Sequence, residues 1–117
     1  MMLVDDERRF VDSLARRLSI RGYASRVAYD GESALRALDE GGYLAMVLDL
    51  RLPDLHGTEV LARALRMTPS LAVIILTAHG NQEDERLCMA RGAVAFLNKP
   101  LQLDRLLELL TGLEASA

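Results

Sequence analysis

The sequence predicts an α/β domain in which a parallel sheet carries helices on both faces, and three observations carry that expectation. Five short apolar runs alternate with five longer stretches of helical period, with neither an internal repeat nor a low-complexity linker between them. Several of the runs are apolar without interruption, as expected of strands buried on both faces rather than on one. Gly22, Gly41, Gly42 and Gly92 follow the helical stretches where helices commonly stop. Strands separated by helices of this length favour right-handed crossovers and parallel pairing.

The elements follow in order. The first strand is Met1 to Val4, ended by Asp5-Asp6. A helix from about Glu7 to Arg21 presents Phe10, Leu14, Leu18 and Ile20 as an apolar stripe, with Arg8, Arg9, Asp12, Arg16, Arg17 and Arg21 mostly off it. Ala24 to Ala28 and Gly31 to Glu40 form the next strand and helix, and Leu44 to Leu48 the third strand. After the loop Leu50-Arg51-Leu52-Pro53-Asp54-Leu55-His56-Gly57, which Pro53 and Gly57 shape, comes a helix from Gly57 to Met67. Ala72 to Leu76 is the fourth strand, Asn81 to Arg91 the fourth helix and Ala93 to Leu97 the fifth strand. The last helix, Leu103 to Gly112, is crowded by Leu103, Leu106, Leu107, Leu109, Leu110 and Leu113. That is more than one core-facing stripe requires; most of them are expected in the core, with the excess a candidate partner face.

A chain of 117 residues, half of them hydrophobic and 26% charged, fits one globular domain over 1–117. The net charge of -3 lacks the basic excess of a nucleic-acid binder, which argues against direct DNA or RNA contact. Cys88 is the single cysteine, so no intrachain disulfide or cysteine metal cage forms. A reducing, cytoplasmic setting fits, and Cys88 reads as a small core residue. No apolar run reaches the length of a bilayer span, and the opening residues meet Asp5 too soon for a signal peptide; no membrane association is expected.

In open parallel sheets, ligands bind beyond the carboxyl ends of the strands. Asp5 and Asp6 follow the first strand, Asp49 the third, Thr77 the fourth, and Lys99-Pro100 the fifth. Brought together, two carboxylates about 4 Å apart repel by about 4 kcal/mol at an effective dielectric of about 20, so the cluster calls for cations. A hard divalent ion such as Mg2+ suits oxygen ligands of this kind, and Lys99 supplies a fixed charge. This is chemistry for phosphoryl transfer: a carboxylate attacks in line while cations neutralise the equatorial oxygens and the Thr77 hydroxyl binds the transferred group. Asp49, at the end of the most apolar central strand, is the best nucleophile.

These residues resemble the response-regulator receiver family of two-component signalling across essentially the whole chain. Asp5-Asp6, Asp49 in a D-x-x-x-P-x-x-x-G frame with Pro53 and Gly57, Thr77-Ala78 and Lys99-Pro100 stand in the family's order. The resemblance implies a flavodoxin-like doubly wound five-stranded parallel sheet of order 2-1-3-4-5 with five helices. It implies that Asp49 accepts a phosphoryl group from a histidine kinase or histidine phosphotransfer protein. Mg2+ is then held by Asp6, Asp49 and the Arg51 backbone carbonyl, with Asp5 acting through water. Lys99 pairs with the phosphoryl group, Thr77 moves to hydrogen-bond it, small Ala78 leaves room for it, and Phe96 is the switch aromatic. Its rotation alters the surface of helix four, strand five and helix five. A phenylalanine there has no hydroxyl to bond at either endpoint, which loosens the coupling. The resemblance further implies a cis bond before Pro100 and an output domain or effector outside this chain. It makes a homodimer through helices four and five one expectation, and no enzymatic turnover beyond the domain's own phosphorylation and dephosphorylation. Arg51 and His79 flank the water route to the phosphoryl group, where bulk slows its hydrolysis.

Each residue also has an ordinary role: an aspartate pair caps a helix, a threonine forms a turn, a lysine is solvated, and His56 and His79 are solvated loop residues. Their joint occurrence at four strand ends favours a site. Two rival functions are weaker. A haloacid-dehalogenase-like phosphohydrolase needs a second aspartate where Arg51 stands, and a phosphorylation-independent pseudo-receiver has no need of intact Asp49, Thr77 and Lys99.

Overall fold

The computed structural model describes residues 1–78 and 80–116. Five strands, β1 (Met2–Val4), β2 (Arg26–Ala28), β3 (Ala45–Leu48), β4 (Ala72–Thr77) and β5 (Ala95–Asn98), alternate with α1 (Arg8–Ile20), α2 (Gly31–Asp39), α3 (Gly57–Met67), α4 (Gln82–Ala90) and α5 (Leu103–Ser116). All strand pairs are parallel and the order is β2-β1-β3-β4-β5, the flavodoxin-like order that the family resemblance implies.

Alternation along the strands splits the core into two layers. Met2, Val4, Met46, Leu48, Val73 and Ile75 pack on α2, α3 and α4 through Leu35, Leu38, Val60, Leu61, Ala64 and Cys88. Leu3, Val47, Ile74, Leu76 and Ala95 pack on α1 and α5 through Val11, Leu14, Leu18, Leu103, Leu106 and Leu110. Unbroken apolarity in β1, β3 and most of β4 follows from helices on both sides, as expected.

Three expectations need correction. Ile20 is 82% exposed, and Val11 takes the place given to it, because residues 11, 14 and 18 share a helix face while 20 lies some two residues around from 18. The fifth strand begins at Ala95 because the Ala93 amide is bonded to Cys88 O, which closes the end of α4. Thr77 is part of β4, in register with Asn98. Helix starts carry local signals: Asp30 accepts from the Ser33 amide at 2.7 Å, and Asn81 and Asp84 form a reciprocal capping box at 2.8 and 3.2 Å. In α5, Leu103, Leu106 and Leu110 are buried while Leu107, Leu109 and Leu113 are half-buried against the same layer, so its leucine excess is mostly core. Cys88 is fully buried, and desolvation, helped by the Asp84 charge, raises its thiol pKa, which suits a packing role. No helix among the described residues is long and apolar enough to cross a membrane.

Candidate functional site

The sheet's backbone ladders continue one residue past the strands and deliver the polar residues to one edge. The Asp5 amide donates to Ala28 O at 3.1 Å, the Asp49 amide to Val4 O at 3.0 Å, and the Lys99 amide to Thr77 O at 3.0 Å. Asp5 and Asp49 are therefore anchored on adjacent strand ends, with Lys99 reaching toward them from β5. Both carboxylates are buried, 4% and 3% exposed, while Asp6 is exposed. One carboxylate oxygen each from Asp5, Asp6 and Asp49 lie within 4.8 Å of one another. This hard, all-oxygen donor set, with one member open to solvent, fits a divalent cation.

Lys99 holds the centre. Its Nζ lies 2.8 Å from Asp5 Oδ2, 2.5 Å from Glu7 Oε1 and 3.3 Å from Asp49 Oδ2, and 4.5 Å from the centroid of the Phe10 ring. Burial alone would lower the lysine's pKa; the hydrogen bonds to Asp5 and Glu7 and the charge of Asp49 outweigh it and raise the pKa, so the ammonium is fixed as a cation. Asp5 moves the other way for a carboxylate. Desolvation, with the Asp49 charge, raises its pKa despite hydrogen bonds from Lys99 and from the Glu7 amide at 2.9 Å.

A raised carboxylate pKa means that the folded chain binds more protons than the unfolded one above pH 3.8, so Asp5 ionisation costs stability as pH rises through its folded pKa. Asp5→Asn therefore raises the melting temperature of the metal-free protein at pH 7, and the gain shrinks as pH falls toward 3.8. Thermal unfolding across that range checks both statements.

The loop after Asp49 is held at several points. The Arg51 amide donates to Asp49 Oδ1 at 3.3 Å, and an isolated bridge pairs Arg51 with His56. His56, expected as a solvated residue, is the N-cap of α3, its Nδ1 accepting from the Thr58 amide at 3.2 Å. Asp54 accepts from the amides of Gly31, Glu32 and Leu55 at 2.8 to 2.9 Å, tying the loop to the start of α2. Gly57 shapes the loop through lack of space. It is not among the glycines with positive φ; a Cβ there would lie 2.5 Å from both Asp49 O and Leu50 Cα, so close backbone approach excludes a side chain.

Thr77 is fully buried and Ala78 exposed. The half-buried Phe96 ring and Thr77 meet over Gly80: a Cβ on Gly80 would stand 2.5 Å from Phe96 Cζ and 2.9 Å from Thr77 Cγ2. The two residues expected to move together thus share one small space. The Lys99-Pro100 peptide is cis. His79, expected beside the water route, lies outside the described residues.

The response regulator receiver domain family model matches residues 1–111. The chain belongs to the response-regulator receiver family. Transcriptional regulatory protein TcrA of Mycobacterium tuberculosis is 39% identical over 91% of this receiver and 42% of its own length, and GlrR of Escherichia coli 34% identical over 100% and 27%. The receiver thus spans less than half the length of these relatives. A receiver domain protein of Methanospirillum hungatei superposes with a TM-score of 0.91 at 27% identity, covering 99% of this chain and 96% of that one. A response regulator of Burkholderia pseudomallei, with a phosphorylated aspartic acid, a calcium ion and citrate, superposes at 0.86 and 27% identity over 91% of this chain and 62% of that one.

Four residues around the receiver's site escape a reading of motifs. Glu7 and Phe10 contact Lys99, Gly80 borders Phe96 and Thr77, and Asp54 braces the loop. For Glu7 a signal exists, since an acidic residue continues the Asp5-Asp6 run. Phe10 reads as core from its period, and nothing in the sequence pairs Gly80 with a ring sixteen residues away.

Proposed function

We propose that this receiver accepts a phosphoryl group on Asp49 from a histidine kinase or histidine phosphotransfer protein of the cytoplasm. The observation that carries the reading is the Asp49 carboxylate itself, nearly excluded from solvent at the end of β3 yet held 3.3 Å from the Lys99 ammonium beside two further carboxylates. The calcium and phosphorylated aspartic acid of the Burkholderia pseudomallei regulator support it by similarity.

Asp49 attacks phosphorus with one carboxylate oxygen, forming the acyl phosphate P–O bond. The donor's P–N bond breaks and its electron pair leaves with the imidazole. The Arg51 amide and Lys99 orient the carboxylate, and Lys99 also offers its ammonium to the transferred oxygens. Asp6, Asp49 and the Arg51 carbonyl would hold Mg2+, with Asp5 acting through water. When bound, the ion supplies charge neutralisation for the phosphoryl oxygens. Thr77 hydrogen-bonds the new group, and Phe96 moves in the space bordered by Gly80 and Thr77. The altered surface of α4, β5 and α5 then acts on an output domain or effector, or on a second copy through α4 and α5. The domain catalyses no reaction beyond its own phosphorylation and dephosphorylation.

Incubation with acetyl phosphate and Mg2+, read by intact mass, yields one added phosphoryl group on the wild type and none on Asp49→Asn. The adduct is stable in acid and labile in alkali. An adduct of equal extent on the variant would place the acceptor elsewhere.

A further inference from the structure

We propose that Glu7 is the resting counter-ion of Lys99, released when Asp49 is phosphorylated, and that this exchange sets how readily the domain takes up the phosphoryl group. The inference rests on Asp49 as the acceptor.

An ammonium has three N–H donors. In the resting receiver three carboxylates stand around that of Lys99: Glu7 Oε1 at 2.5 Å, Asp5 Oδ2 at 2.8 Å and Asp49 Oδ2 at 3.3 Å. When Asp49 becomes the acyl phosphate its own share of the ammonium passes to the phosphoryl group, which brings about two negative charges where the carboxylate had one, so drawing Lys99 onto it weakens the hold on a further carboxylate.

The three are not equal candidates. The Asp5 and Asp49 side chains are 5% and 3% exposed, and each is also fixed by a backbone amide, from Glu7 and Arg51 respectively. Stripping the ammonium from Asp5 leaves a desolvated charge with a weakened counter-ion, which is costly, whereas the charge of Asp49 is itself consumed in the acyl phosphate. The Glu7 side chain is 56% exposed, so water replaces the ammonium there at small cost.

A second observation concerns the helix. Glu7 occupies the N-cap position of α1, yet its side chain makes no capping hydrogen bond, and the first turn of α1 carries no acidic residue. The carboxylate faces Lys99 instead of the free amides that an N-terminal acid ordinarily serves. Such a departure from a local rule is expected where a residue has another role. Glu7 is thus a positioning residue: it steadies Lys99 while the acceptor is empty and competes with the phosphoryl group when it is filled.

Lys99 is the single lysine of the sequence, so lysine labelling gives one side-chain ammonium signal by NMR. Glu7→Ala lies at an exposed position and leaves both core layers intact. The expected result is a shifted lysine signal in the resting variant. With Mg2+ and beryllofluoride, a phosphoryl mimic, the wild-type and variant signals converge. Phosphorylation by acetyl phosphate is about threefold faster in the variant, the scale of one half-exposed ion pair, and Glu7→Gln is intermediate. Coincident signals at rest, signals equally far apart with beryllofluoride, or equal rates of adduct formation would each overturn the proposal while leaving Asp49 as acceptor. Absence of an adduct on both proteins would bring down the acceptor reading and this inference with it.

Discussion

Lys99→Met lowers the stability of the metal-free protein at pH 7 by about 3 kcal/mol, because it leaves the buried Asp5 and Asp49 carboxylates facing each other without their cation. A domain of this size has roughly 5–15 kcal/mol in total, so the loss shifts the denaturation midpoint visibly. The size of the deficit depends on pH in a direction the site dictates. Asp5 already has a raised pKa, and without Lys99 it takes up a proton more easily still; the deficit therefore shrinks as pH falls from 7 toward 5. At the alkaline end the deficit shrinks again, this time as pH rises. The raised pKa of Lys99 means its contribution is complete below 10.5 and is lost as pH rises through the folded value, so the two proteins approach each other there. Chemical denaturation of both proteins in a chelator across this range is the check. A variant as stable as the wild type at pH 7 would mean that Lys99 does not hold the carboxylates together. If Lys99 meets the phosphoryl oxygens as proposed, the same variant loses phosphorylation by acetyl phosphate.

Gly57→Ala costs roughly 3 kcal/mol and slows phosphorylation by about 100-fold, the upper range for overpacking and for misplacing a reacting group by about 1 Å. The added methyl carbon would stand 2.5 Å from Asp49 O and Leu50 Cα, both backbone atoms that cannot rotate aside. The Gly57 amide is bonded to Leu50 O at 2.7 Å, so the start of α3 and the end of β3 must separate together. Asp49 then leaves its place beside Lys99. Urea denaturation together with the rate of adduct formation measures both effects. A loss of stability with an unchanged rate would show that the position of Asp49, the proposed acceptor, does not depend on this contact.

Much of this was legible in the sequence, and for definite reasons. Local periodicity and glycine placement gave five strands and five helices with boundaries within two or three residues for most, because a period of two or 3.6 is a property of neighbouring residues. Ile20 shows the limit: apolar character alone does not say which way a residue faces at the last turn of a helix. The polar residues at the strand ends were visible because a parallel sheet sends every strand's carboxyl end to the same edge. The strand order came from the motif resemblance; periodicity holds no information on which strands are neighbours.

The sequence by itself therefore determined the element order, the two-sided core and the identity of Asp5, Asp6, Asp49, Thr77 and Lys99 as the residues of one edge. Only the tertiary structure decided that Lys99 is shared among Asp5, Asp49 and Glu7 over a phenyl ring, that Gly57 is needed for space rather than for φ, and that Phe96 meets Thr77 over Gly80. These are contacts between residues distant in the chain. Their geometry is set by the packing of whole elements, which no local pattern encodes.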